Sequence, residues 1–255
     1  MRGRIYFIGS GPGDPALMTI RGMELLKTAS LVLVPGFFRE TYAEYLKDKE
    51  WFDPFDYYHA DLVARVDACL DSGRDAAFLI PGDLAIFSPV QSLIEYFKDS
   101  AVVVPGVSSM NAASAALRRT FDLPGVSHST IVTSPKTITG TKDTIAELSK
   151  HQSTMVLFMN NKSPEALSAE LSEGYAKDTP VAVVYNISLP TQEVLMTTVG
   201  SIRNDVDGRF EDEDIFKLVI VGKALTASED PSWWNRRKDV RDARHAAKGL
   251  KDAKG

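Results

Sequence analysis

Three apolar runs in the first half of this chain each stop at a glycine turn: "YFIGSGPGDP" from residue 6, "FLIPGD" from residue 78 and "VVPGVSS" from residue 103. A fourth, "LVLVPG", ends at residue 36. Runs of this length suit strands buried on both faces. Helical patterns separate them. In "TIRGMELLKTA", residues 19–29, Thr19 is placed to cap a helix whose buried face carries Met23, Leu25 and Leu26. "LVARVDACLDSG" at 62–73 and "VQSLIEYFKDS" at 90–100 supply two more. Strand, turn, helix and strand in alternation is the pattern of a parallel sheet covered by helices.

After an alanine-rich helix at 108–118 the rhythm changes. "STIVTS" from 129, "TMVLFM" from 154, "PVAVVYNI" from 180, "EVLMTTVG" from 193 and "FKLVIVG" from 216 are more closely spaced. Only "SLPTQ" separates the runs at 180 and 193, which predicts adjacent antiparallel strands. The expected fold class is therefore α/β, with a parallel N-terminal sheet, a mixed C-terminal sheet and a ligand cleft between them. The expected division is 1–114, 115–228 and a basic tail at 229–255, read as solvated, with Trp233 and Trp234 anchoring its start.

The formal net charge of −5 offers no electrostatic reason to bind nucleic acid. The single cysteine, Cys69, excludes an intramolecular disulfide framework and an all-cysteine metal cluster within one chain. The glycines and charges of residues 1–34 interrupt any signal-like or membrane-spanning run, so the expectation is a cytoplasmic protein without membrane contact.

The first glycine turn is not a dinucleotide fingerprint, because Pro12 and Gly13 follow Gly11 directly, and no Gly-Lys-Ser/Thr follows it. Asp14-Pro15 reads equally as a cap with a first-turn proline. Asp83 either caps the following turn or accepts hydrogen bonds from a ligand. All three turns fall at the carboxyl ends of strands, the edge at which open α/β sheets hold ligands.

Taken together, "YFIGSGPGDPALMTIRGMELLKTASLVLV", "PGDLAIFSP" and "VVPGVSSMNAASAAL" resemble the signatures of the tetrapyrrole methylases over roughly residues 4–223. "LPGVSHSTIVTS", "TMVLFMNN" and "KDTPVAVVYNISLPTQEVLMTTVGSI" look most like the branch that methylates C11 of precorrin-4 or its cobalt counterpart. Other branches of the family, or a methylase-like binding protein, are the alternatives. The pattern departs from the family at Leu84, at Phe87-Ser88 and over 35–63.

The resemblance implies a tetrapyrrole methylase-like fold, a homodimer, S-adenosyl-L-methionine as methyl donor, S-adenosyl-L-homocysteine as product and no protein-bound metal. It assigns Gly82, Asp83, Ile86, Ser109, Met110, Met159, Asn186, Ile187 and Ala224 to the cofactor. Pro12 and Asp14 fall on the macrocycle side, with Asp14 the candidate for a proton relay. A polycarboxylate tetrapyrrole calls for local cations, for which Arg21, Arg39, Lys136 and Lys162 are candidates, and His128 is a candidate polar contact. The aromatics Trp51, Phe52, Phe55, Tyr57 and Tyr58 either cover a flat macrocycle or pack beneath a loop or at a dimer contact.

Overall fold

A computed structural model describes residues 1–137, 142–213 and 215–252, apart from the side chains of Trp233 and 246–252. Among these residues ten strands form two five-stranded sheets. The first contains β1 (Ile5–Gly9), β2 (Leu31–Leu33), β3 (Glu50–Phe52), β4 (Ala76–Ile80) and β5 (Ala101–Val104), in the order β3-β2-β4-β1-β5. Every pairing in it is parallel.

Its alternation follows the pleat. Ile5, Phe7, Leu31, Leu33, Phe78 and Ile80 face α3 (His59–Asp71) and α4 (Gln91–Phe97). Ile8, Val32, Ala77 and Leu79 face α1 (Ile20–Thr28) and α2 (Arg39–Leu46). Burial on both faces explains why these strands read as unbroken apolar runs. Thr19 caps α1 by accepting from the Gly22 amide at 3.1 Å, as expected.

The second sheet contains β6 (Thr130–Thr133), β7 (Thr154–Phe158), β8 (Pro180–Tyr185), β9 (Glu193–Thr198) and β10 (Lys217–Val221), in the order β6-β7-β10-β8-β9. Only β6 and β7 run parallel, and β8 and β9 form the expected antiparallel pair. One face packs on α6 (Ile145–Ser149), α7 (Pro164–Leu171) and α8 (Ile202–Asp205). The other packs on α5 (Ser109–Leu117), whose Ala113 is fully buried there. Small side chains let that helix sit close to the sheet, which is the physical meaning of its alanine-rich composition.

Two segments left open by the sequence take definite form here. The segment 35–63 holds α2 and β3, and Phe52 belongs to the first core, with Tyr57 packed against it. For these two residues the packing alternative holds. The tail forms α9 (Ser232–Asp252), a continuous helix whose described side chains from Trp234 to His245 are exposed. Trp234 is exposed, while the Trp233 side chain and residues 253–255 lie outside the described residues. No helix among the described residues is long and apolar enough to cross a membrane.

Candidate active site

The loops after β1 and β4 leave these adjacent strands toward opposite faces of the sheet, since α1 lies on one face and α4 on the other. Such a divergence opens a crevice at the carboxyl edge. Here the three glycine turns interlock across it. Gly11 and Gly82 exchange backbone hydrogen bonds at 3.1 and 2.8 Å. Gly106 lies so near that an added Cβ would stand 2.2 Å from the Gly82 carbonyl oxygen and 2.7 Å from the Gly9 backbone. Gly82 itself is left-handed at φ +69, a conformation glycine adopts without steric cost.

Asp83 joins two of these turns. One carboxylate oxygen accepts from the Ala85 amide at 2.9 Å, and the other accepts from the Gly106 amide at 2.8 Å. Beneath the first turn, the Tyr42 hydroxyl donates to the Ser10 carbonyl at 2.6 Å. Burial pushes the Tyr42 pKa up to about 12, so the phenol stays neutral and the hydrogen bond persists at ordinary pH.

The second sheet turns a matching edge toward this one. Phe158 of β7 is in register with Leu218 of β10, and Leu218 with Val184 of β8. The ends of β7 and β8 and the start of β10 therefore share one edge. Between the two edges lies a cleft of about 660 Å³. Its lining includes Pro12, Gly82, Asp83, Ile86, Ser108, Ser109, Lys136, Met159, Asn160, Ile187 and Lys217. Phe37, Phe38, Phe55, Phe87, Phe158 and Phe216 make much of the remaining wall. Rings from opposite sides meet: Phe37 and Phe216 have centroids 5.1 Å apart, and Phe87 and Phe158 5.5 Å apart.

Four of the nine non-glycine residues with positive φ among the described residues lie at or beside this cleft. Phe87 (φ +52) and Met159 (φ +46) line the cleft in left-handed conformations, and Asn186 (φ +47) and Ser188 (φ +63) follow β8. Non-glycine residues hold such angles at a cost that surrounding contacts must offset, and they gather at functional sites. Two polar atoms in the wall, Ser88 Oγ and Asn160 Oδ1, are buried without a hydrogen-bond partner.

Of the residues singled out from the sequence, Pro12, Gly82, Asp83, Ile86, Ser109, Lys136, Met159 and Ile187 meet in this cleft. Met110 instead packs, partly buried, against the core between α5 and the second sheet. Asn186 turns the chain at its rim, its amide donating to the Phe216 carbonyl at 2.8 Å. Ala224 is 1% exposed and follows the end of β10, at the edge of the second sheet opposite the cleft. Asp14 accepts from the Ala16 amide at 2.8 Å as a cap, and its own amide donates to Ser188 Oγ at 3.0 Å, tying the first turn to the second half. Arg39 stacks 4.8 Å from the Trp51 ring centroid on the surface. Arg21 and His128 are exposed away from the lining, and Lys162 pairs with Glu170 at 2.6 Å.

Lys136 lines the cleft 3.3 Å from Glu213. Lys217, not singled out from sequence, joins it in the wall and donates to the Asp212 carbonyl at 2.7 Å. Burial lowers its pKa against the opposing pull of Asp212 and Glu213. Its position as the first residue of the last strand was the available signal. Asn160 was also missed, although an Asn-Asn pair just past an apolar strand marks a polar group at a binding edge. Among the described residues no group of three or more His, Cys, Asp or Glu is placed to hold a metal ion.

Comparison with known proteins adds a family. A model of the "Tetrapyrrole (Corrin/Porphyrin) Methylases" matches residues 4–203. The cobalt-precorrin-4 C(11)-methyltransferase of Methanocaldococcus jannaschii is 31% identical over 232 residues, 87% of this chain and 88% of that protein. The precorrin-4 C(11)-methyltransferase of Rhodococcus erythropolis is 31% identical over 235 residues, 89% of this chain and 94% of that one. The crystal structure of a cobalt precorrin-4 methyltransferase superposes with a TM-score of 0.81 at 26% identity, covering 88% of this chain and 96% of that one. A Thermus thermophilus uroporphyrin-III C-methyltransferase complexed with S-adenosylhomocysteine shares the fold, with a TM-score of 0.69 at 22% identity, covering 90% of this chain and 97% of that one.

Proposed function

This chain belongs to the tetrapyrrole (corrin/porphyrin) methylases, and from that premise we propose that it transfers a methyl group from S-adenosylmethionine to C11 of precorrin-4 or its cobalt-containing counterpart. The observation that carries the reading is the likeness to precorrin-4 C(11)-methyltransferases along both halves of the chain, and so along both walls of the cleft.

The residues present fit the methyl donor. Two buried polar atoms in the wall lack partners, and the left-handed Gly82 leaves backbone open to close approach. When bound, S-adenosylmethionine supplies a methyl already activated on a sulfonium sulfur, which calls for no covalent protein intermediate. The chain's part is to orient, desolvate and hold charge. Gly82, Asp83, Ile86, Ser109, Met159 and Ile187 are the residues to hold the donor. Asp83 acts mainly by fixing the turns, because both its oxygens already accept backbone amides.

The aromatic wall suits the faces of a flat macrocycle and excludes water, while Lys136 and Lys217 offer cations to its carboxylates. Pro12 belongs to the same surface. Asp14 keeps the relay role within this reading only through motion, since it caps the turn outside the lining. The reading includes a homodimer, which the exposed Val194 and Met196 on the edge strand β9 support.

The test is an anaerobic assay with labelled S-adenosylmethionine against cobalt-precorrin-4, precorrin-4 and uroporphyrinogen III, with NMR assignment of the methylated carbon. Transfer to C11 is expected. Transfer to another carbon, or none despite cofactor binding, overturns the assignment.

A further inference from the structure

Asn160 lines the cleft just past β7 and is only 6% exposed. Its amide is half used. Nδ2 donates to the Lys162 carbonyl at 3.0 Å, which also fixes which end of the amide is the oxygen, because a carbonyl can accept only from the nitrogen. Oδ1 is buried and has no partner. An acceptor stripped of water without a replacement donor is a rare and costly arrangement in a folded protein.

Asn160 lines the cleft, so a ligand seated there is an available source of the missing donor. Phe158, Val184, Ile187 and Leu218 line this side of the cleft beside Lys217, whose ammonium already donates to the Asp212 carbonyl at 2.7 Å. A macrocycle does not supply it, because the pyrrolic N–H groups of a tetrapyrrole point into the centre of the ring. A nucleoside does, through its exocyclic amine or its ribose hydroxyls. The adjoining Met159 is 42% exposed and unbranched, so the wall can yield by a side-chain rotation as a ligand seats.

We infer that Asn160 Oδ1 accepts a hydrogen bond from the nucleoside of the methyl donor and so helps select it. The inference rests on the methyl-donor reading above. The orphan oxygen makes Asn160 a positioning and specificity residue that acts by hydrogen bonding, with no part in bond making.

Calorimetric affinities of the full chain and of Asn160→Ala are compared for S-adenosylhomocysteine, S-inosylhomocysteine and the 2′- and 3′-deoxyribose analogues. If the exocyclic amine is the donor, the inosyl analogue, which carries an oxygen in its place, binds the wild type at least about tenfold more weakly. That preference then collapses by about fivefold or more in Asn160→Ala. If a ribose hydroxyl is the donor, one deoxy preference collapses instead and the inosyl preference stays. Equal preferences in wild type and variant across all four ligands overturn the inference. Should Asn160→Ala fail to fold, a crystal structure of the wild type with S-adenosylhomocysteine decides. Oδ1 within hydrogen-bond distance of a nucleoside donor supports the inference, and Oδ1 without one overturns it. Wild type that binds none of these ligands defeats the methyl-donor reading itself, a result distinct from binding without discrimination at Asn160.

Discussion

Asp83 and Gly106 act as one unit, and their substitution separates turn geometry from ligand chemistry. Asp83→Asn keeps the shape but leaves one oxygen to serve two amides, and it turns an NH2 toward the Ala85 or Gly106 N–H. The expected result is a loss of about 1–3 kcal/mol in stability and S-adenosylhomocysteine affinity weakened at least about tenfold. Unchanged calorimetric affinity in a folded Asp83→Asn protein would remove Asp83 from the site. In Gly106→Ala the new Cβ meets backbone, at 2.2 Å from the Gly82 oxygen, so neither neighbour can rotate away. It should cost at least about 2 kcal/mol in urea unfolding with an unchanged slope. The "PGD" and "VPG" strings in the sequence already pointed to turns at a shared edge. That their glycines touch one another was not legible, because the contact joins residues far apart in the chain.

Among the elements, the parallel strands were the most legible, since burial on both faces writes a continuous apolar run. Phe52 and β3 were not: only three residues long and charged at Glu50, the strand carries too short a pattern to separate from an aromatic surface cluster. The turn before β10 shows how an element edge is pinned. Arg209 contacts Glu193 at 2.7 Å and Asp207 at 2.9 Å while lying 5.0 Å from the Tyr185 ring centroid, so it ties the start of β9, the end of β8 and the 208–210 turn together. Arg209 holds both carboxyls below their usual pKa. The sign follows from linkage. A carboxylate with a depressed folded pKa contributes stability that is present above its unfolded pKa and is lost as pH falls through the folded value. Wild type should therefore lose Tm more steeply than Arg209→Met on acidification from about pH 6 to about pH 3. Parallel melting curves for the two proteins over that range would show that the cluster does not support the fold.

At the scale of the whole molecule, two sheets with separate cores meet through identifiable direct contacts. These include Asp14 to Ser188, Phe37 to Phe216, and Phe87 to Phe158. The mixed second sheet and the cleft were legible from strand spacing. The aromatic pairs that meet across the cleft were not, because Phe37 and Phe216 belong to unrelated local patterns. A cleft built from both sheets makes its ligand part of the joint between them. A ligand that binds only the folded state at a hundredfold excess over its Kd stabilises that state by about 2.7 kcal/mol. If S-adenosylhomocysteine touches both walls, amide exchange should slow at the 82–83 and 106–109 turns and also at 159–160 and 186–188, and Tm should rise in one cooperative transition. Protection confined to the first set would place the ligand on one sheet alone, and the aromatic pairs would then be the main remaining support for the joint. Replacing Phe216 by Leu distinguishes these cases further. It should weaken the joint in the free protein, yet its effect should shrink once a ligand bridges the cleft, because the bridge supplies the contact that the ring pair provided.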